Sequence, residues 1–295
     1  MLLKQNLSLY RVLKTTWKTD LVLITICSIA YLIDSFLLTW IHIPASLPAL
    51  IGTAIAFFIA FNNNQAYSRW WEARTIWGGL VNDSRSWARE LMAHANDKEM
   101  ARKMIFRHIS FLYALKSYLR KIPDDKYKSY ISESEILAVE KQNHVPNALL
   151  NLQSLDVQKL SQRNTIDGFR FLALNELIRS HVENMGKSER INNTVFPTTY
   201  IYFTQLFIWI LLILTTMTLS EEIGYLAIFF TWVIGFVFHQ THLNGMSLMN
   251  PFELTPACVP LNSITRNIEI NLLESLGETN LPEPEMAMQH GEYIL

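Results

Sequence analysis

Apolar residues fall into long blocks separated by charged or turn-forming stretches. Tyr200 to Leu219 holds no charged residue, and Ile223 to Phe238 is shorter but equally uncharged, so the two read as a membrane hairpin turning at Ser220-Glu221-Glu222. Leu21 to Ile43 is long enough to span despite Asp34. Leu47 to Phe61 follows Pro44 and Pro48, which suit a tight turn and a helix start, and it runs on into Asn62-Asn63-Asn64-Gln65. The predicted spans are about 21–43, 47–67, 199–219 and 223–242. An amide run is costly against lipid but acceptable beside an aqueous path, which puts the second span in an interior position.

The section between the second and third spans has a different pattern. Glu99 to Ile122 carries Met104, Phe106, Ile109, Leu112, Tyr113 and Leu119 among charges, an amphipathic helix by spacing. Ser132 and Glu135 form a capping box ahead of Ile136, Leu137 and Val139. Further helices are expected from Asp167 to Met185, ending near Gly186, and from Leu261 to Leu276 between Pro260 and Gly277. No stretch competes with a strand period. The expected fold is all-α: four transmembrane helices continuous with a helical cytoplasmic region (about 68–198 and 243–277), one unit over residues 1–277, because a helix over 69–91 leaves the membrane without a linker. Residues 278–295, with Pro282 and Pro284, are expected to be a poorly ordered tail.

Charge orients this arrangement. Lysines and arginines at the N-terminus, then Arg69, Arg74, Arg85 and Arg89, belong on the cytoplasmic side, whereas the short outer connections have none. Both termini are therefore expected in the cytoplasm, in a multi-pass protein of the inner (plasma) membrane. Lys4, Arg11, Lys14 and Lys18 spread over a long region before the first apolar block, which argues against a cleaved signal. A net charge of −1 without a basic stripe argues against a nucleic-acid partner. Cys27 and Cys258 share no motif and are expected to be free thiols.

Candidate chemistry concentrates in the second span. Thr53, Phe57 and Phe61 are spaced i, i+4, i+8 and stack in one row along a helix face, roughly 6 Å apart. Several copies around an axis would make that face a hydrophobic constriction that gates ion flow by dewetting; one copy encloses nothing. The competing reading is ordinary helix packing. Asn62, Asn63 and Asn64 are pore-proximal candidates or caps for helix contacts, and Arg69, Trp70 and Trp71 read as an interfacial anchor. Asp34 lies towards the outer end of the first span and is read as structural or as lining a vestibule, rather than as a proton relay. His239 and His242, at i, i+3, would bind a metal only if a carboxylate such as Glu253 joined them, and an interfacial role is favoured. No Ser-His-Asp arrangement, phosphate-cradling loop or cysteine cluster is present, so no enzyme activity, cofactor or metal is expected.

Phe61-Asn-Asn-Asn-Gln-Ala-Tyr-Ser-Arg-Trp-Trp-Glu-Ala-Arg74, Trp77-Gly-Gly-Leu-Val-Asn82, Pro146-Asn147-Ala148-Leu149-Leu150, Ser188-Glu-Arg-Ile191 and Asn250-Pro-Phe-Glu253 resemble the bestrophin family, its bacterial branch in particular, over nearly the whole chain. The resemblance implies a homopentameric channel in the bilayer, a ring with one central pore for small monovalent ions. By position it puts the three neck residues on Thr53, Phe57 and Phe61 and a cytoplasmic aperture on Phe169. Thr53 departs from the family's commonly aliphatic residue. After Asn250-Pro-Phe-Glu253 the acidic run of animal relatives is replaced by Leu254-Thr-Pro-Ala-Cys258, so activation through a calcium clasp is not expected. The family as a whole favours chloride, while its bacterial members include sodium- or potassium-conducting channels. A secondary transporter is the rival from another class, although neither an inverted repeat nor a pair of broken spans is visible.

Overall fold

The computed structural model describes residues 9–95, 97–288 and 293–295. Its helices in chain order are α1 (Leu9–Phe36), α2 (Ser46–His94), α3 (Lys98–Arg120), α4 (Glu133–Glu140), α5 (Val145–Gln162), α6 (Gly168–Asn193), α7 (Thr198–Ile223), α8 (Leu226–Leu248) and α9 (Leu261–Ser275), with a 3-10 turn at Asp125–Tyr130. The only β pairing among the described residues is an isolated bridge between Met288 and Tyr293. The architecture is all-α, and among the described residues four helices are long and apolar enough to cross a membrane: Val12–Phe36 within α1, then α2, α7 and α8.

By internal packing the chain divides into two compact units, residues 70–194 with 250–295 and residues 9–69 with 195–249. The 49-residue α2 supplies residues to both, continuous through the amide run.

In the apolar unit, Leu23 and Cys27 of α1, Ile55 and Ile59 of α2, and Ile208, Leu211 and Leu212 of α7 form the core. Gly235 lets α8 approach α7 closely, since a Cβ there would lie 2.8 Å from a Leu212 methyl. The first span ends at Phe36, not at Ile43. The chain turns there because the Leu37 and Leu38 amides both donate to the Ile33 carbonyl, at 2.9 and 3.0 Å. The helix also starts well before Leu21, taking in Lys14, Lys18 and Asp20; the Thr16 hydroxyl donates to the buried Asp20 carboxylate at 2.7 Å. The hairpin turns at Gly224, whose φ of +57° suits a residue without Cβ, so Ser220, Glu221 and Glu222 stay helical.

The second unit is built around α3, most of whose residues are buried with Trp77, Trp87 and Leu91 of α2. Asp97 caps α3 by accepting from the Met100 amide at 3.0 Å. The expected capping box opens α4, the Ser132 amide donating to Glu135 at 3.3 Å. Two elements differ from the sequence reading. Residues 145–162 form a helix, α5, capped where His144 Nδ1 accepts from the Asn147 amide at 3.1 Å. α6 continues through Gly186 to Asn193, because burial of Ser188 and Ile191 outweighs the glycine's preference for ending a helix. Buried Arg107 pairs with Glu135 and, at 2.6 Å, with Asp156. Burial by itself would raise the Asp156 pKa, but hydrogen bonds from Lys159 and Arg107 hold it below its ordinary value.

Where a loose tail is expected, the described residues after Gly277 pack back on this unit. Glu278 pairs with Arg102, Glu285 lies 3.5 Å from Arg266, and the Ser263 amide of α9 donates to the Leu295 carbonyl at 2.9 Å. Acidic side chains of the segment meet cations on α3 and α9, which its proline content does not reveal. Cys27 and Cys258 are free and buried.

Candidate functional site

The two faces of α2 differ sharply in burial. Ile55, Ile59, Asn62 and Ala66 are buried, whereas Thr53, Phe57, Phe61, Asn64 and Ser68 form an exposed stripe one to two positions wide. Phe57 is 75% exposed and Phe61 56%, although neighbouring Phe58 is packed on Tyr200 with ring centroids 5.4 Å apart. Among the described residues the two phenyl rings of the predicted row are therefore left largely uncovered. The row's hydroxyl is oriented: Thr53 Oγ1 donates to the Ala49 carbonyl at 2.9 Å.

The three amides split. Asn62 is buried, and Asn63 turns towards α8, where its Nδ2 donates to the Thr241 carbonyl at 2.9 Å. Only Asn64 stays on the exposed stripe. Consecutive residues on a helix are about 100° apart, so three asparagines cannot share one surface. The anchor residues divide too. Trp71 is exposed, while half-buried Trp70 donates from Nε1 to the Ala257 carbonyl at 2.8 Å and ties α2 to the segment after Asn250. Arg69 is half-buried.

Phe169 stands in the first turn of α6, which Asp167 caps by accepting from the Arg170 amide at 2.8 Å. At 87% exposure it is the most exposed large apolar side chain among the described residues. Leu172, three residues on and on the same face, is also exposed. The sequence reading overlooked it, though the i, i+3 spacing from Phe169 was there to be seen. Further along, Arg190 pairs with Glu72 of α2.

Other candidates settle into structural contacts. Asp34 is buried and accepts from the Ser220 hydroxyl, joining α1 to α7. His239 and His242 are buried in α8, and among the described residues no group of three or more His, Cys, Asp or Glu side chains is placed to hold a metal ion. Glu253 accepts from Asn250 Nδ2 at 3.1 Å. A buried histidine pair is unexpected: the rings of His108 of α3 and His181 of α6 lie against each other, tilted by 39° with centroids 4.4 Å apart, beside Trp87 and Phe111, and His108 Nε2 lies 2.8 Å from Ser84 Oγ. Burial pushes both imidazoles below their ordinary pKa, His181 to about 4.

Residues 7–274 match the family described as Bacterial/Fungal Bestrophin protein. The voltage-dependent anion channel-forming protein YneE of Escherichia coli K12 is 26% identical over 243 residues, spanning 82% of this chain and 80% of that protein. Its Salmonella typhimurium namesake is 28% identical over 235 residues, spanning 79% and 77%. A solved bacterial Bestrophin homolog from Klebsiella pneumoniae aligns with a TM-score of 0.84 at 23% identity, covering 88% of this chain and 98% of the other. That likeness speaks to the fold alone.

Proposed function

This chain belongs to the bacterial and fungal bestrophin family, and from that premise we propose that it is a membrane channel, a homopentamer that conducts small monovalent ions passively, chloride foremost. The observation that carries this reading is the exposed stripe on α2. Lipid suits its phenyl rings but not its Asn64 carboxamide, and bulk water suits the carboxamide but not the rings. A narrow axis shared by five copies suits both, as a dry neck that opens into a wet mouth. Phe57 and Phe61 form the neck, which blocks ions when dewetted and passes them when it wets. Of the three amides only Asn64 faces the path; Asn62 is buried and Asn63 ties α2 to α8. Phe169, with Leu172 behind it, forms a second constriction on the cytoplasmic side.

The relatives named as voltage-dependent anion channel-forming proteins support an anion as the permeant ion. A phenyl edge carries partial positive charge and is compatible with an anion at the neck. The protein sits in the inner membrane with both termini in the cytoplasm, and conduction needs no cofactor or covalent chemistry. The test is the reversal potential of purified protein in planar bilayers under a potassium chloride gradient. A value near the chloride equilibrium potential supports an anion channel, and one near that of potassium makes it a cation channel of the same fold. Saturable exchange without single-channel steps would replace the channel with a transporter.

A further inference from the structure

Thr53 is the one member of the neck row that carries an oxygen, and its geometry determines what that oxygen offers. The hydroxyl donates to the Ala49 carbonyl one turn back at 2.9 Å, a contact helical threonine makes readily. A threonine side chain has a single O–H donor, and this contact uses it. What remains towards the exposed face of α2 is the oxygen's lone pairs and a methyl group. Nearby charge does not offset this: the connection 37–45 and the outer end of α7 hold no lysine or arginine, and His42 there lies with its Nδ1 3.0 Å from Glu221 Oε1. The next polar group on the stripe is Asn64, eleven residues on, roughly 16 Å along the helix.

Building on the channel reading, we propose that Thr53 sets ion selectivity: its copies form a ring of acceptor-only oxygens at the outer end of the neck. Such a ring coordinates a partly dehydrated monovalent cation and gives nothing to chloride, which needs donors. The channel is therefore less selective for anions than it would be with an aliphatic residue at this position.

The experiment uses the full chain in planar bilayers under a sodium chloride gradient. Thr53→Val removes the oxygen and keeps the branched shape; Thr53→Ser keeps the oxygen and its bond to Ala49. Thr53→Val is expected to raise the chloride-to-sodium permeability ratio about five-fold, the weight of one ordinary polar contact. Thr53→Ser is expected to hold the wild-type ratio. An unchanged ratio in Thr53→Val, or an equal shift in Thr53→Ser, overturns the proposal while leaving the channel intact; a wild-type protein that passes no current overturns the channel reading and this proposal with it. If Thr53→Val dries the neck to silence, the same comparison in a Phe57→Ala background reads the ratio through a wider neck.

Discussion

The carboxamide of Asn63 fills the space over Gly245 that any side chain at that position would need. The same amide donates to the Thr241 carbonyl at 2.9 Å, so α2 and α8 are joined by a polar contact that only a glycine on the facing helix permits.

Gly245→Ala is therefore expected to destabilise the protein by about 1–3 kcal/mol, the usual result of overpacking a close helix contact. Gly186 in α6 is the control, since a Cβ there meets nothing within 4 Å. Gly186→Ala should be neutral or stabilising by roughly 0.5–1 kcal/mol. Thermal unfolding of both variants in detergent checks this, and a Gly245→Ala protein that melts with the wild type would remove the contact from the account.

Acid should weaken the α3–α6 contact. The folded-state pKa of His181 lies near 4, below its ordinary 6.5. Its contribution is therefore fully present above about pH 6.5 and is lost progressively as pH falls towards 4, a loss on the order of 3 kcal/mol. His108, also held low by burial and by the neighbouring imidazole, adds in the same direction. The Asp83 backbone acts the other way on His181 but is outweighed by burial. Melting temperature against pH for the wild type and His181→Phe gives the answer: the phenylalanine variant should lose less stability between pH 6.5 and 4, and parallel curves would contradict the assignment.

Widening the neck should ease wetting. Phe57→Ala and Phe61→Ala are each expected to raise open probability or unitary conductance, because a wider apolar constriction fills with water more readily. Single-channel recording distinguishes them from the wild type, and unchanged currents in both would take these residues out of the gate.

Calcium should leave the channel indifferent at the segment after α8. Its single carboxylate, Glu253, is engaged by Asn250, and calcium asks for six to eight oxygens with several carboxylates among them. Open probability is expected to be the same in chelator and in millimolar calcium; strong activation would count against this reading.

Much of the fold was legible because its signals are local. Uncharged apolar runs marked the spans, Ser132 and Glu135 marked the start of α4, and the row of Thr53, Phe57 and Phe61 follows from helical spacing once α2 is known to be a helix. The outer limit of the first span is not legible, because Leu37 to Ile43 is itself uncharged and continues the largely apolar run of the helix before it. Nothing in composition reports that two amides turn back to Ile33. Gly186 misled for the reverse reason: a strong local preference for ending a helix was overruled by packing further along α6.

Taken alone, the sequence determined the helix-rich class, the four apolar spans, the family and the face of α2 that carries the aromatic row, since each depends on residue type and spacing along one chain. Tertiary structure decided which neighbouring residues became contacts and which stayed open. It buried Asn62, tied Asn63 to α8 and Trp70 to Ala257, set the His108 ring against that of His181, and left Phe57, Phe61 and Phe169 exposed. Those outcomes depend on groups brought close from distant parts of the chain, and sequence spacing carries no record of such distances.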